Sequence, residues 1–128
     1  MDIAKHVLYW KTGSQEDWEV AEQLVASGKS RHGLFFVHLA LEKILKGHVC
    51  QVQRDIPPRI HNLIRLAELA NLTLDAEQTK LFEEINDFNI AGRYAGEVEP
   101  SVTRNDAVVY AKKAHEVLQW LIQQLVLP

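Results

Sequence analysis

The sequence predicts an all-α protein, an up-and-down bundle of four to five helices. Apolar residues recur at steps of three and four along most of the chain, and no run of strict alternation marks a strand. Gly28, the prolines of RDIPPRI and the segment AGRYAGEVEPSV cut this pattern into helix-sized pieces. Residues suited to capping a helix, Ser30, Asp75 and Thr103 or Asn105, stand where pieces begin.

The first helix is expected over about residues 3–27, where Val7, Trp10, Ser14, Asp17, Ala21 and Leu24 share one stripe. Gly13 strains it, and Gly28 closes it as a C-terminal glycine. With Ser30 as its cap, the second helix runs over about 31–52. It is apolar on most sides (Leu34, Phe35, Phe36, Val37, Leu39, Leu41, Ile44, Leu45 and Val49), which makes it the central, most buried element. Pro57 and Pro58 then end helical structure, because they lack the backbone donor and restrict the residues before them. A short third helix is expected over about 60–70 and a fourth, capped by Asp75, over about 76–90. After the AGRYAGEVEPSV loop the last helix carries a stripe of Val108, Ala111, His115, Leu118, Ile122 and Leu125.

At 128 residues the chain is the size of one domain, read here as residues 1–128, with room for a single sizeable core. Fourteen Lys and Arg against seventeen Asp and Glu give a formal charge of −3, so nucleic-acid binding needs a local basic patch. The lone cysteine, Cys50, cannot form an intrachain disulfide and reads as a small core residue in a reducing compartment. MDIAKH opens the chain without an apolar signal core, and no apolar run reaches the length of a membrane span. A cytoplasmic protein is expected.

The stretch VHLALEKILKG, residues 37–47, is the first candidate for chemistry. His38, Glu42 and Lys46 are successive i,i+4 neighbours on a mostly apolar helix. Either they form a partly solvated seam that sets the register of two helices, or they line a polar pocket facing a phosphate or a partner. Asp17 adds a polar group on the first helix's packing stripe. Neither a His-Glu-x-x-His pattern nor a cysteine cluster is present, so no metal and no cofactor are expected. In PPRIHNLIRLAE, His61 and Asn62 stand where the third helix begins. There, free backbone donors favour an anion beside Arg59 and Arg65, unless His61 or Asn62 simply caps the helix. In NDFNIAGRYAG, Arg93 offers a planar fork to a phosphate or carboxylate and Tyr94 a stacking face, with a buried Arg93–Asp17 salt bridge as the structural alternative. A Gly-rich phosphate loop and Gly-x-Ser-x-Gly are both absent, and Glu83, Glu84 and Asp87 read as a solvated acidic face.

Four segments in this order, DWEVAEQLVASG, HLALEKILKG, PPRIHNLIRLAELANL and INDFNIAGRYAG, resemble the HEPN domain family (higher eukaryotes and prokaryotes nucleotide-binding) over nearly the whole chain. The family commonly has Pro after Arg-Tyr, where this chain has Ala95. The resemblance implies a helical bundle that often dimerises. It also implies a role as partner of a small nucleotidyltransferase, frequently in toxin–antitoxin-like modules. One branch of the family cleaves RNA without metal, using an Arg followed after four to six residues by a His near the later helices. In such chemistry the His acts as general acid or base on the 2′-hydroxyl and the Arg stabilises the phosphorane.

Here Arg104 stands in a suggestive place, but Val109, Tyr110 and Ala111 occupy the positions where that His would be. Arg31…His38 and Arg54…His61 match the spacing elsewhere, as six His and six Arg in one chain make easy by accident. The preferred reading is therefore a nucleotide-binding or partner subunit of a small nucleotidyltransferase, a homodimer through the apolar surfaces of its second and last helices. Asp17, His38, Glu42, Lys46, His61, Arg93 and Tyr94 would form one polar groove, with Asp17 orienting Arg93 while Lys46 and His61 offer charge to a phosphate. An RNA-cleaving toxin using His61 or His38 is the alternative, and a helical adaptor without a ligand is the third.

Overall fold

In a computed structural model the chain forms five helices: α1 (Ile3–Ala26), α2 (Ser30–Gln53), α3 (Leu63–Leu69), α4 (Ala76–Asn86) and α5 (Arg104–Gln124). The structure describes residues 2–89 and 100–125, and among them there is no strand. The fold is the predicted all-α bundle.

The α1–α2 hairpin is closed by backbone chemistry that only glycine accommodates easily. Gly28 has φ +81°, and its N–H donates to the Val25 carbonyl while the Lys29 N–H reaches back to Leu24. This double bond pattern carries the chain directly into α2, so Ser30 is already helical and Lys29 holds the cap position. The expected Ser30 cap is thereby corrected: the turn completes one residue earlier than a serine cap requires. Gly33 lets the helices close up, because a Cβ there would stand 2.6 Å from the Val25 side chain. The Ser14 hydroxyl explains its place on the α1 stripe by donating to the Ala40 carbonyl at 2.7 Å.

α2 packs against each of the other four helices, and fifteen of its twenty-four residues are buried. Leu34, Val37, Ala40, Leu41, Ile44, Leu45 and Val49 are fully enclosed, and Cys50 lies among them as the expected small core residue. Much of the apolar surface of α2 is used by its own bundle, while Phe35, Phe36 and Leu39 are only partly buried. α3 starts at Leu63, not near residue 60, because the Asn62 side chain accepts from Ile64 and Arg65 and sets the cap there. Asp75 caps α4 as expected, in a reciprocal box with Gln78. α4 ends at Asn86, short of residue 90, where the N–H groups of Asp87 and Phe88 turn back in tightened bonds to Glu84 and Ile85.

Thr103 caps α5, one of the two candidates. The buried face of this helix is Ala107, Ala114, Val117, Leu118 and Leu121, rotated from the expected stripe; Val108 is 54% exposed and His115 stacks on Trp18 at the rim. Both stripes keep the helical period and share Leu118, so period alone could not choose between them. Small side chains at Ala107 and Ala114 let the helix approach its neighbours closely.

One buried polar bond fastens α5 to α2. Leu121 is among the last four residues of its helix, whose carbonyls lack an intrahelical partner. His48 Nε2 donates to that carbonyl at 2.7 Å, so its Nε2 carries the proton. Burial pushes the His48 imidazole below its usual 6.5, the Leu121 carbonyl opposing. The folded protein therefore takes up this proton at lower pH than the unfolded chain does. Its contribution is complete above pH 6.5 and declines as acid protonates the unfolded chain. The melting temperature should accordingly fall between about pH 6.5 and about pH 5, and His48→Gln, which keeps a donor but cannot titrate, should show a smaller fall. An identical pH dependence in the variant would contradict this role.

Candidate functional site

The row His38, Glu42 and Lys46 does not lie on a solvated face. All three are buried on α2, at 1%, 5% and 7% exposure. Such charges persist only when paired, and the pairing is explicit. Lys46 Nζ bonds Glu42 Oε2 at 2.9 Å, and the same ammonium stands 5.5 Å from the centre of the Trp10 ring, within cation–π range. The other carboxylate oxygen, Oε1, accepts from His61 Nδ1 at 3.0 Å.

His38 Nδ1 lies 3.6 Å from the same Oε1, too far for a hydrogen bond. Burial pushes the His38 imidazole below its usual 6.5, outweighing the opposing pull of Glu42, the His61 backbone and the Asn86 side chain. His38 is thus a neutral core histidine, and its effect on acid stability has the same sign as that of His48.

His61 differs from its neighbours in exposure. Its side chain is 55% exposed although its partner Glu42 is almost enclosed. The segment that presents it is extended because Pro57 and Pro58 keep it from helix and Asn62 holds the next residue as a cap. Asn62 and Asn86 then tie this segment to α4: Asn86 Nδ2 donates to Asn62 Oδ1 at 3.2 Å, and Asn86 Oδ1 accepts from the Leu63 N–H at 3.0 Å. A carboxylate at Nδ1 sets the tautomer and orientation of the imidazole, leaving Nε2 to meet a ligand.

Four of the seven expected site residues therefore meet: His38, Glu42, Lys46 and His61. Asp17 does not join them, being paired with Lys43 at 2.8 Å. Lys46 is committed to Glu42, so its charge is not offered to a phosphate as expected. Arg93 and Tyr94 lie outside the described residues. The anion reading at the start of α3 gives way to the capping one, because Asn62 occupies the donors of Ile64 and Arg65, and the Arg65 guanidinium is bonded to Glu68. Sequence reasoning missed Trp10, Lys43 and the Asn62–Asn86 bridge. Asn86 sits inside the quoted INDFNIAGRYAG segment, but nothing in its spacing announced a bond across twenty-four residues.

Near Arg104, where a catalytic His would follow, Tyr110 instead donates a hydrogen bond to Glu84. That bond, with burial and the charge of Glu84, pushes the phenol up to about 12. Among the described residues no group of His, Cys, Asp and Glu is placed to hold a metal ion, and no helix is long and apolar enough to cross a membrane.

The fold is similar to the crystal structure of TT1696 from Thermus thermophilus, with a TM-score of 0.74 and 21% identity, covering 98% of this chain and 100% of that one. It is also similar to the crystal structure of ST0689, described as an archaeal HEPN homologue, with a TM-score of 0.68 and 23% identity over 92% and 96% of the two chains. Comparison with curated proteins gives no match. The sequence pattern described as "HEPN domain" matches residues 7–125. The match spans nearly every element described above, and the chain belongs to the HEPN domain family.

Proposed function

We propose that this HEPN domain is a nucleotide-binding subunit that works in the cytoplasm beside a small nucleotidyltransferase, in a toxin–antitoxin-like module. The observation that supports the reading most directly is the half-exposed His61 imidazole held at Nδ1 by the buried Glu42 carboxylate. An oriented imidazole on a braced segment offers one hydrogen-bonding nitrogen to one phosphate or to a partner's side chain. The nucleotidyltransferase comes from the family resemblance. The subunit pairs with a second copy of itself: α1 exposes Leu8 and Tyr9, and α5 exposes Val108 and Val109, apolar side chains suited to a two-fold contact.

Ribonuclease activity is the second reading, favoured by the same carboxylate–imidazole pair, which resembles the orienting half of a general acid–base device. It is the weaker reading because His38 is enclosed, Lys46 is committed to Glu42, and Val109, Tyr110 and Ala111 stand where the motif's His would follow Arg104.

Titration calorimetry with adenosine monophosphate tests the first reading. His61→Ala should weaken binding at least tenfold, about 1.4 kcal/mol, in titrations kept below a melting temperature that falls because Glu42 Oε1 loses a partner. Equal affinity in the variant would contradict it. Cleavage of single-stranded RNA in EDTA, lost in His61→Ala, would move the chain to the second reading. Light scattering should return twice the 14.6 kDa mass of one chain, and a single-chain mass at micromolar concentration would end the dimer proposal.

A further inference from the structure

Two histidines address the same oxygen of Glu42. His61 Nδ1 bonds Oε1 at 3.0 Å from a side chain that is 55% exposed. His38 Nδ1 stands 3.6 Å from that oxygen on a side chain that is 1% exposed, and it has no hydrogen-bond partner. A buried polar nitrogen left in this way is uncommon in a folded interior. The ring also meets the backbone of His61 and the side chain of Asn86, and both contacts favour a proton on it. With Nδ1 unpartnered, Nε2 is the nitrogen turned to them, so the single proton of the neutral ring sits there. Nδ1 then carries a lone pair and faces the lone pairs of a carboxylate oxygen. Two acceptors turned towards each other form no bond. One proton at Nδ1 converts the same contact into a charge-assisted hydrogen bond, shorter and stronger than a neutral one.

The charges that bear on His38 come from few elements. Its own helix supplies Glu42 and, on the far oxygen, Lys46; the segment before α3 supplies His61; α4 supplies Asn86, which does not titrate. Among the described residues α1, α3 and α5 bring no titratable group to bear on it. Burial opposes a proton on His38 and is the largest influence, so uptake belongs to the range below pH 6.5. Glu42 draws the proton in, and a charged His61 repels it.

We propose that His38 and Glu42 form a proton-operated release for His61: a proton taken up at His38 Nδ1 draws Glu42 Oε1 to that ring, and the His61 imidazole is freed. The enclosed His38 ring has nowhere to go, so the carboxylate moves and the 3.6 Å gap closes to about 2.8 Å. His61 cannot follow the oxygen, because the Asn62–Asn86 bridge and the bond from Leu63 to Asn86 hold its segment against α4. Lys46 keeps the other oxygen throughout, so the buried acid always has a partner. The consequence rests on the reading of His61 as the group that meets a ligand. In neutral solution its Nε2 is held in one direction, and in acid the ring turns freely and a ligand that needs that direction is let go.

Nuclear magnetic resonance of the full chain with ¹⁵N-labelled histidine tests this without any ligand. Ring correlations show which nitrogens bear protons, and a slowly exchanging Nδ1 proton on His61 marks its bond to the carboxylate. Between about pH 7.5 and about pH 5, His38 should gain its Nδ1 proton and His61 should lose the slow proton at one shared midpoint, with the helical circular dichroism unchanged. His38→Gln keeps a donor near the Nε2 position and cannot titrate, so there the His61 proton should persist about one pH unit lower or more. A slow His61 proton that survives protonation of His38, or the same midpoint in parent and variant, overturns the proposal. So does unfolding before His38 titrates, or a proton already on its Nδ1 in neutral solution. Should His38→Gln fail to fold, the parent titration alone decides. A shared midpoint in a chain that does not bind adenosine monophosphate leaves the release standing and removes the ligand reading; His61-dependent binding without a shared midpoint does the reverse.

Discussion

A carboxylate in the interior of the central helix governs the rest of this fold. Glu42 is 5% exposed, the only acidic residue buried among those described. Removing a carboxylate from water costs several kcal/mol unless partners replace the water. Lys46 supplies the opposite charge one turn further along the same helix, and Trp10 covers that ammonium from α1. His61 comes back across the proline-rich turn to take the second oxygen. The prolines after α2, the Asn62 cap of α3 and the Asn62–Asn86 bridge to α4 together hold His61 at that oxygen.

This arrangement explains why the cluster divides into an interior and an exterior part. His38 and Lys46 face the carboxylate from within and are unavailable to a ligand, the first held neutral by burial and the second held in an ion pair. His61 faces it from the rim and keeps half its surface in water. The same carboxylate thus serves stability inward and presentation outward.

Much of the fold was legible because helices announce themselves by period and punctuation. Gly28 and Asp75 act where the pattern placed them, and α2 is the core element its apolar composition demanded. What the pattern could not resolve were choices between equivalent local solutions: which of two overlapping stripes on α5 turns inward, or whether Ser30 caps its helix or lies within it. The row His38, Glu42 and Lys46 was visible, and His61 was assigned to the same groove. Its chemistry was not visible, because whether a lysine serves a phosphate or a neighbouring carboxylate depends on burial, a property of the assembled bundle. Asp17 illustrates the point: nothing in its stripe announced the ion pair it makes with Lys43 on the neighbouring helix.

The most direct test of Glu42 as the organising charge is a double-mutant cycle by urea denaturation with Glu42→Gln, Lys46→Met and both together. Either single change leaves one buried group without its counter-charge and should destabilise by about 3–5 kcal/mol. The second change should then restore much of that loss, a coupling of about 2–3 kcal/mol. Losses that add within about 0.5 kcal/mol would show two independent side chains, and would contradict the account.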